Sequence, residues 1–213
     1  MSLGRSRFVQ SVCDRRSILS VDNTKKIILD LCGGTGAWSY PYRVAGYDVR
    51  IITLPFYPLF DNKPGDVRDF EPPTDVYGII ASPPCDQFSL ARRNAKTEAD
   101  FVAGLEIVNA CFHIIWKCRL MGKLKFWAIE NPVGYLRQFI GKAPFRFEHW
   151  EFGDNGYKPT EIWGYFNFPK KTVKQKPKAK LMKTVQAVNG LNRKAIRAQT
   201  PPGFAKAFFK ANK

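Results

Sequence analysis

Three apolar runs in this chain each stop abruptly at a turn, and that recurrence constrains the fold more than any other feature. Lys26 to Leu31 runs into Cys32-Gly33-Gly34-Thr35-Gly36, Val76 to Ala81 into Ser82-Pro83-Pro84-Cys85, and Leu124 to Ile129 into Glu130-Asn131-Pro132. Short apolar runs bounded by turn signals read as buried strands. Tyr47 to Leu54, with Val49, Ile51 and Ile52, reads as a further strand. A helix is expected after the glycine turn, interrupted near Pro41 and ending at Ala45-Gly46. Between Thr97 and Met121, Phe101, Leu105, Val108, Phe112 and Ile115 recur at helical spacing. Pro55, Pro58 and Pro64 mark a loop. Strands alternating with helices predict an α/β chain with a Rossmann-like, mostly parallel sheet and helices on both faces.

The last third differs. Trp163 to Phe168 is aromatic and β-like, and is expected to form an antiparallel hairpin with the segment before it. Lys170 to Lys183 is dense in lysine, and Gly203 to Asn212 reads as an amphipathic helix. A length of 213 residues fits one domain, 1–213, with a short basic segment at about 169–198. Thirty-four Lys and Arg against 18 Asp and Glu leave a net charge of +16, which attracts polyanions and makes nucleic acid the first partner to consider. Cys13, Cys32, Cys85, Cys111 and Cys118 form no CxxC pair, and there are two histidines, so no metal site is expected. An odd cysteine count without a signal-peptide pattern points to a reducing, cytoplasmic setting, and the chain has no run that reads as a membrane span.

In a doubly wound sheet, ligands bind beyond the carboxyl ends of the strands. The turn from Asp30 to Gly36 belongs there, and Gly33, Gly34 and Gly36 allow the backbone close to a ligand. Its spacing is neither the GxGxxG of dinucleotide folds nor the phosphate loop. Cys85 ends another strand inside a proline-stiffened loop. A cysteine taken alone is most often core, but this position favours a thiolate nucleophile. Glu130 ends the next strand as a candidate proton donor, so two reactive side chains converge on one cleft.

Ser82-Pro83-Pro84-Cys85-Asp86-Gln87-Phe88-Ser89 resembles the Pro-Cys-Gln-x-Phe-Ser motif of the DNA cytosine carbon-5 methyltransferases, with Asp86 as an extra residue. Glu130-Asn131-Pro132 is similar to that family's Glu-Asn-Val, and Asp30-Leu31-Cys32-Gly33-Gly34-Thr35-Gly36 looks like the AdoMet turn of class I methyltransferases. The resemblance implies S-adenosyl-L-methionine (AdoMet) as cofactor, with Asp30, Gly33, Gly34, Gly36, Pro83 and Asp66 (from a Gly-Asp-Val like the family's adenine-binding Gly-Asp-Ile/Val) around it. It implies that Cys85 adds to cytosine carbon-6, that Glu130 meets the N3 edge, and that Asn131 orients the cysteine loop. Lys158 stands where the family carries a Gln-x-Arg-x-Arg element. Thr53-Leu54-Pro55 replaces the acid that usually holds the cofactor ribose. Arg197 to Ala205 is similar to the closing Gly-Asn-x-Val-Pro-Pro element.

Family members also carry a long target-recognition domain, for which this chain has only the basic segment. Lys170, Lys171, Lys174, Lys176, Lys178 and Lys180 are expected to contact phosphate without reading sequence, leaving target recognition to a partner subunit. The likeness to small phage and prophage methylases implies a bacterial or phage-infected host, in a restriction-associated setting. DNA is the expected substrate and RNA the less favoured one. The alternatives are a methyltransferase for exocyclic amino groups and a degenerate methylase fold that binds nucleic acid without turnover.

Overall fold

The chain is described by a computed structural model covering residues 23–54, 63–90, 98–177 and 198–213. Its strands are β1 (Ile27–Leu31), β2 (Asp48–Thr53), β3 (Lys63–Pro64), β4 (Val76–Ala81), β5 (Phe126–Pro132), β6 (Phe145–Phe147) and β7 (Thr160–Tyr165). They form one sheet in the order β3-β2-β1-β4-β5-β7-β6. Strands β1 to β5 pair in parallel, whereas β7 runs antiparallel to both β5 and β6. The fold is therefore α/β with a mixed sheet, compatible with a Rossmann-like arrangement. The expected hairpin exists, but its second strand begins at Thr160 rather than Trp163 and its first is Phe145–Phe147.

From β1 the chain goes outward to β2 and β3, then returns across the sheet to β4 on the other side of β1. The carboxyl ends of β1 and β4 thus flank a switch point, where open α/β sheets form their ligand crevice. All of β1 is buried, as expected for a strand covered on both faces.

One face carries helix α1 (Tyr40–Val44) and the terminal helix α4 (Pro202–Ala211), with Tyr42, Phe204 and Phe208 packed on Ile28, Ile80 and Phe126. Phe204 stacks on Phe147 at 4.0 Å between ring centroids. Truncating such a buried ring typically costs about 3–5 kcal/mol. The other face carries α2 (Phe101–Leu120), whose Cys111, Ile114, Ile115 and Cys118 pack on Leu29, Leu31, Ile79 and Ile129. Helix α3 (Leu136–Ile140) follows β5, and a 3-10 turn, His149–Phe152, follows β6.

Three expectations change. Pro41 begins α1 instead of interrupting a helix, because a first-turn proline forfeits no hydrogen bond there. Strand β5 continues through Glu130, Asn131 and Pro132, since β7 pairs with it as far as Thr160. Helix α2 is long and apolar enough, by length and composition alone, to cross a membrane; here one side of it covers the sheet.

The C-terminal helix is tied to the exit of β7. The Asn167 backbone N–H donates to Asn212 Oδ1 at 2.8 Å, Asn212 Nδ2 donates to the Asn167 carbonyl at 3.0 Å, and Asn167 Nδ2 donates to the Ala211 carbonyl at 3.0 Å. At its other end, the Gly203 N–H donates to the Asp154 carboxylate at 3.0 Å.

Candidate active site

The turn after β1 is shaped by backbone geometry. Cys32 and Gly34 take φ of 55° and 56°, in the left-handed region that is unusual for a non-glycine residue such as Cys32. Beneath the turn lies the Asp30 side chain, fully buried. A Cβ at position 33 would stand 2.4 Å from Asp30 Oδ1, so only glycine fits above the carboxyl. Ser39 Oγ donates to Asp30 Oδ2 at 2.5 Å, while Asp30 Oδ1 has no partner. Burial pushes this carboxyl up to about 7, against the opposing effect of the Ser39 hydrogen bond. From β2, Thr53 Oγ1 accepts the Gly34 N–H at 3.1 Å. Gly36 faces the protein, with Ile51 Cδ1 2.4 Å from where its Cβ would be.

The loop after β4 is pinned at two points. Asn131, buried at the end of β5, donates through Nδ2 to the Pro83 carbonyl at 3.0 Å. On the far side, the Phe88 and Ser89 N–H groups donate to the Cys85 carbonyl at 3.1 and 2.8 Å. The Phe88 ring is buried beside Phe101, and its carbonyl accepts the Tyr135 N–H at 2.8 Å. Cys85 is thus presented by a short bridge between two anchored residues. Gly134 is required next to it, since a Cβ there would meet the Phe88 carbonyl oxygen at 2.1 Å.

Three ionisable groups converge. Lys158 Nζ lies 3.9 Å from Glu130 Oε1, with the two side chains 28% and 12% exposed. Burial raises the Glu130 carboxyl, and the Lys158 ammonium opposes that rise. Burial also raises the Cys85 thiol; Lys158 lowers it, and Glu130 and Asp86 add to the rise. Lys158 is thus the nearby positive charge for both groups, opposing the rise that burial imposes on the Cys85 thiol and the Glu130 carboxyl.

One cleft unites these parts. It is lined by Cys32 to Thr35, by Ser82 to Cys85, by Glu130 and Lys158, and by Ala198 to Thr200, with about 590 Å³ of free space including its open mouth. Cys85, Glu130, Lys158, Gly33, Gly34 and Pro83 thus meet there, with Asn131 behind them and Asp30 below. Gly36 does not reach the lining. Asp66 does not either: Arg68 engages its carboxylate with Nε at 3.0 Å from Oδ1 and Oδ2, and this hydrogen-bonded guanidinium holds the carboxyl below its usual range.

No protein-family model matches this chain, and no curated protein does.

Cys32 and Thr35 line the cleft without having been candidate site residues, and Ala198–Thr200, within the segment similar to the closing element, lines it too. The Pro201-Pro202 dipeptide beside them was the available signal. Of the basic segment, Lys170, Lys171, Lys174 and Lys176 are exposed, while Lys178 and Lys180 lie outside the described residues. Lys171 pairs with Glu151 at 2.7 Å, and Lys176 Nζ sits 4.2 Å from the centroid of the Tyr157 ring. Phe88 and Trp163 are core residues, whereas Tyr165 is exposed with Arg119 over its ring. His113 is exposed on α2; His149 stacks on Phe147 and is pushed down to about 4 by burial and by Lys158.

Proposed function

We propose that this chain is a class I AdoMet-dependent methyltransferase that methylates carbon-5 of cytosine in DNA through a covalent bond to Cys85. The observation that carries the reading is the meeting, in a single cleft, of the glycine turn after β1, the cysteine loop after β4 and the acid at the end of β5. The cysteine loop and the acid lie in segments that resemble motifs of the cytosine carbon-5 methyltransferases, and the glycine turn resembles the AdoMet turn of class I methyltransferases more broadly.

The cofactor fits two features of the cleft. The turn at Gly33 and Gly34 presents backbone without side chains, and the unpartnered Asp30 Oδ1 below it is an acceptor awaiting a donor. Gly33, Gly34, Thr35, Pro83 and Thr200 would hold it. When bound, AdoMet supplies the electrophilic methyl group that carbon-5 takes.

The residues of the chain do the rest. Cys85 gives its proton to solvent and its sulfur forms a bond to carbon-6, driving the ring electrons toward carbon-5 and N3. Glu130, whose carboxyl burial raises, shares a proton with N3, where basicity rises as the sulfur adds. Lys158 favours the thiolate and balances charge at the ring edge. Loss of the carbon-5 proton to solvent then returns the electron pair, the sulfur–carbon-6 bond breaks, and the N3 proton goes back to Glu130. A base in duplex DNA must leave the stack to reach such a cleft.

Covalent trapping on DNA containing 5-fluorocytosine, with AdoMet present, tests this reading. Fluorine cannot leave as a proton does, so the expected result is a stable adduct with wild type and none with Cys85→Ser. Absence of adduct and of AdoMet binding would favour a nucleic-acid binder on a methylase-like fold. Two observations motivate that second reading: Asp66 is committed to Arg68, and the Cys85 thiol is raised.

A further inference from the structure

The lysine stretch is fixed to the fold at one point. The Thr172 and Val173 N–H groups donate to the Glu151 carbonyl at 2.9 and 3.0 Å, which anchors the stretch on the 3-10 turn. A few residues later, Lys176 reaches the ring of Tyr157. Tyr157 immediately precedes Lys158, which lines the cleft that holds Cys85 and Glu130. Tyr157 is 47% exposed, whereas Phe88 and Trp163 are buried. An exposed aromatic residue with an ammonium group on its ring combines the two elements by which proteins hold unpaired bases, the ring stacking on a base while cations follow the phosphates.

We infer that Tyr157, with Lys174 and Lys176, is a stacking platform for an unpaired nucleobase beside the one admitted to the cleft, and that the chain therefore takes single-stranded nucleic acid in preference to duplex. This rests on reading the cleft as a base-binding site. One point of physics favours the single strand. A base within a duplex offers no free face to Tyr157, whereas lysine contacts alone follow charge density, which is higher in duplex. Discrimination must then come from the ring. Its chemistry is blind to sequence, in keeping with the short scaffold between Tyr165 and Ala198.

The test is fluorescence anisotropy of the full chain, as Cys85→Ser without AdoMet, on a labelled short oligodeoxynucleotide, its duplex and an abasic strand of the same length. Single strand should bind more tightly than duplex or abasic strand. Tyr157→Ala should weaken single-strand binding about tenfold or more and leave abasic binding unchanged, while Tyr157→Phe stays within about twofold of the parent. Lys176→Met should reduce the slope of log affinity against log salt by about 0.7. Equal affinity for the abasic and base-bearing strands, or Tyr157→Ala indistinguishable from Tyr157→Phe, overturns the platform. Tighter binding of duplex overturns the preference. The 5-fluorocytosine result is read separately: without an adduct, a Tyr157-dependent affinity keeps the platform and removes the methyl transfer; with an adduct, an indifferent Tyr157 removes only the platform.

Discussion

The side-chain amide of Asn131 donates to the carbonyl of Pro83 at 3.0 Å, so the end of β5 holds the loop that follows β4. The Asn131 Oδ1 atom has no partner, and the whole side chain is buried. Removing the amide leaves the Pro83 carbonyl unsatisfied in a dry place. Asn131→Ala should lower stability by about 1–3 kcal/mol and reduce the yield of 5-fluorocytosine adduct. Urea denaturation and gel-shift trapping on the same preparation check both effects.

Reactivity of Cys85 should report its neighbours. Burial raises the thiol, Glu130 adds to the rise and Lys158 opposes it. Peptide-resolved iodoacetamide labelling should therefore be slow at pH 7, with an inflection above the ordinary thiol value of about 8.5. Lys158→Met removes a positive neighbour and should move the inflection to higher pH. Glu130→Gln removes a negative one and should move it lower. Shifts in the opposite directions would show that these side chains do not act on the sulfur.

Asp30 should make the fold less stable as pH rises. Its folded-state value of about 7 exceeds the ordinary 3.8, so the native state binds the proton more tightly than the unfolded chain. Below about pH 4 both states are protonated and no penalty exists. The penalty grows from about pH 4 to 7 and is complete above that, at roughly 4 kcal/mol for such a shift. Asp30→Asn keeps the shape and abolishes the titration. The stability difference, variant minus wild type, should thus increase from pH 4 to pH 7 and level off. A difference constant with pH would contradict the buried, raised carboxyl.

Glu161 on β7 is 1% exposed and pairs with the Arg137 guanidinium from α3. Arg137→Ala strands a buried carboxylate and should cost about 2–3 kcal/mol, less than a fully enclosed pair because Arg137 is 37% exposed. The paired change Arg137→Ala with Glu161→Gln should recover part of the loss, measurable as a double-mutant cycle in thermal unfolding.

The parts of this molecule that were legible in the sequence are those set by local chemistry. Leu31 and Ala81 end strands because an apolar run meets Gly or Pro within a residue or two, and the positions of Cys85 and Glu130 at neighbouring strand ends follow from that punctuation. What escaped depended on distant partners. The extension of β5 to Pro132 reflects pairing with Thr160, far along the chain. Lys158 is equally plausible on a surface or in a cleft until β7 is laid beside β5. Asp66 carried a motif but not its neighbour's claim on it, since the Arg68 contact depends on how the loop turns. The role of Ser39 and Thr53 in holding the glycine turn has no pattern of its own, because a single hydroxyl signals nothing until the acceptor or donor beside it is known.

The reciprocal amide bonds between Asn167 and Asn212 fasten the exit of β7 to the last turn of α4, whatever the intervening chain contains. Together with Asp154 at the start of α4, they turn residues 168–202 into a closed loop with a fixed base. Lengthening such a loop costs little, about 0.6 kcal/mol for each doubling. A folded module could therefore be grafted between Pro177 and Ala198 with small loss of stability, delivering its contacts beside Ala198, Gln199 and Thr200 at the rim of the cleft. Both ends of any such insertion would be held by the fold before the added chain begins.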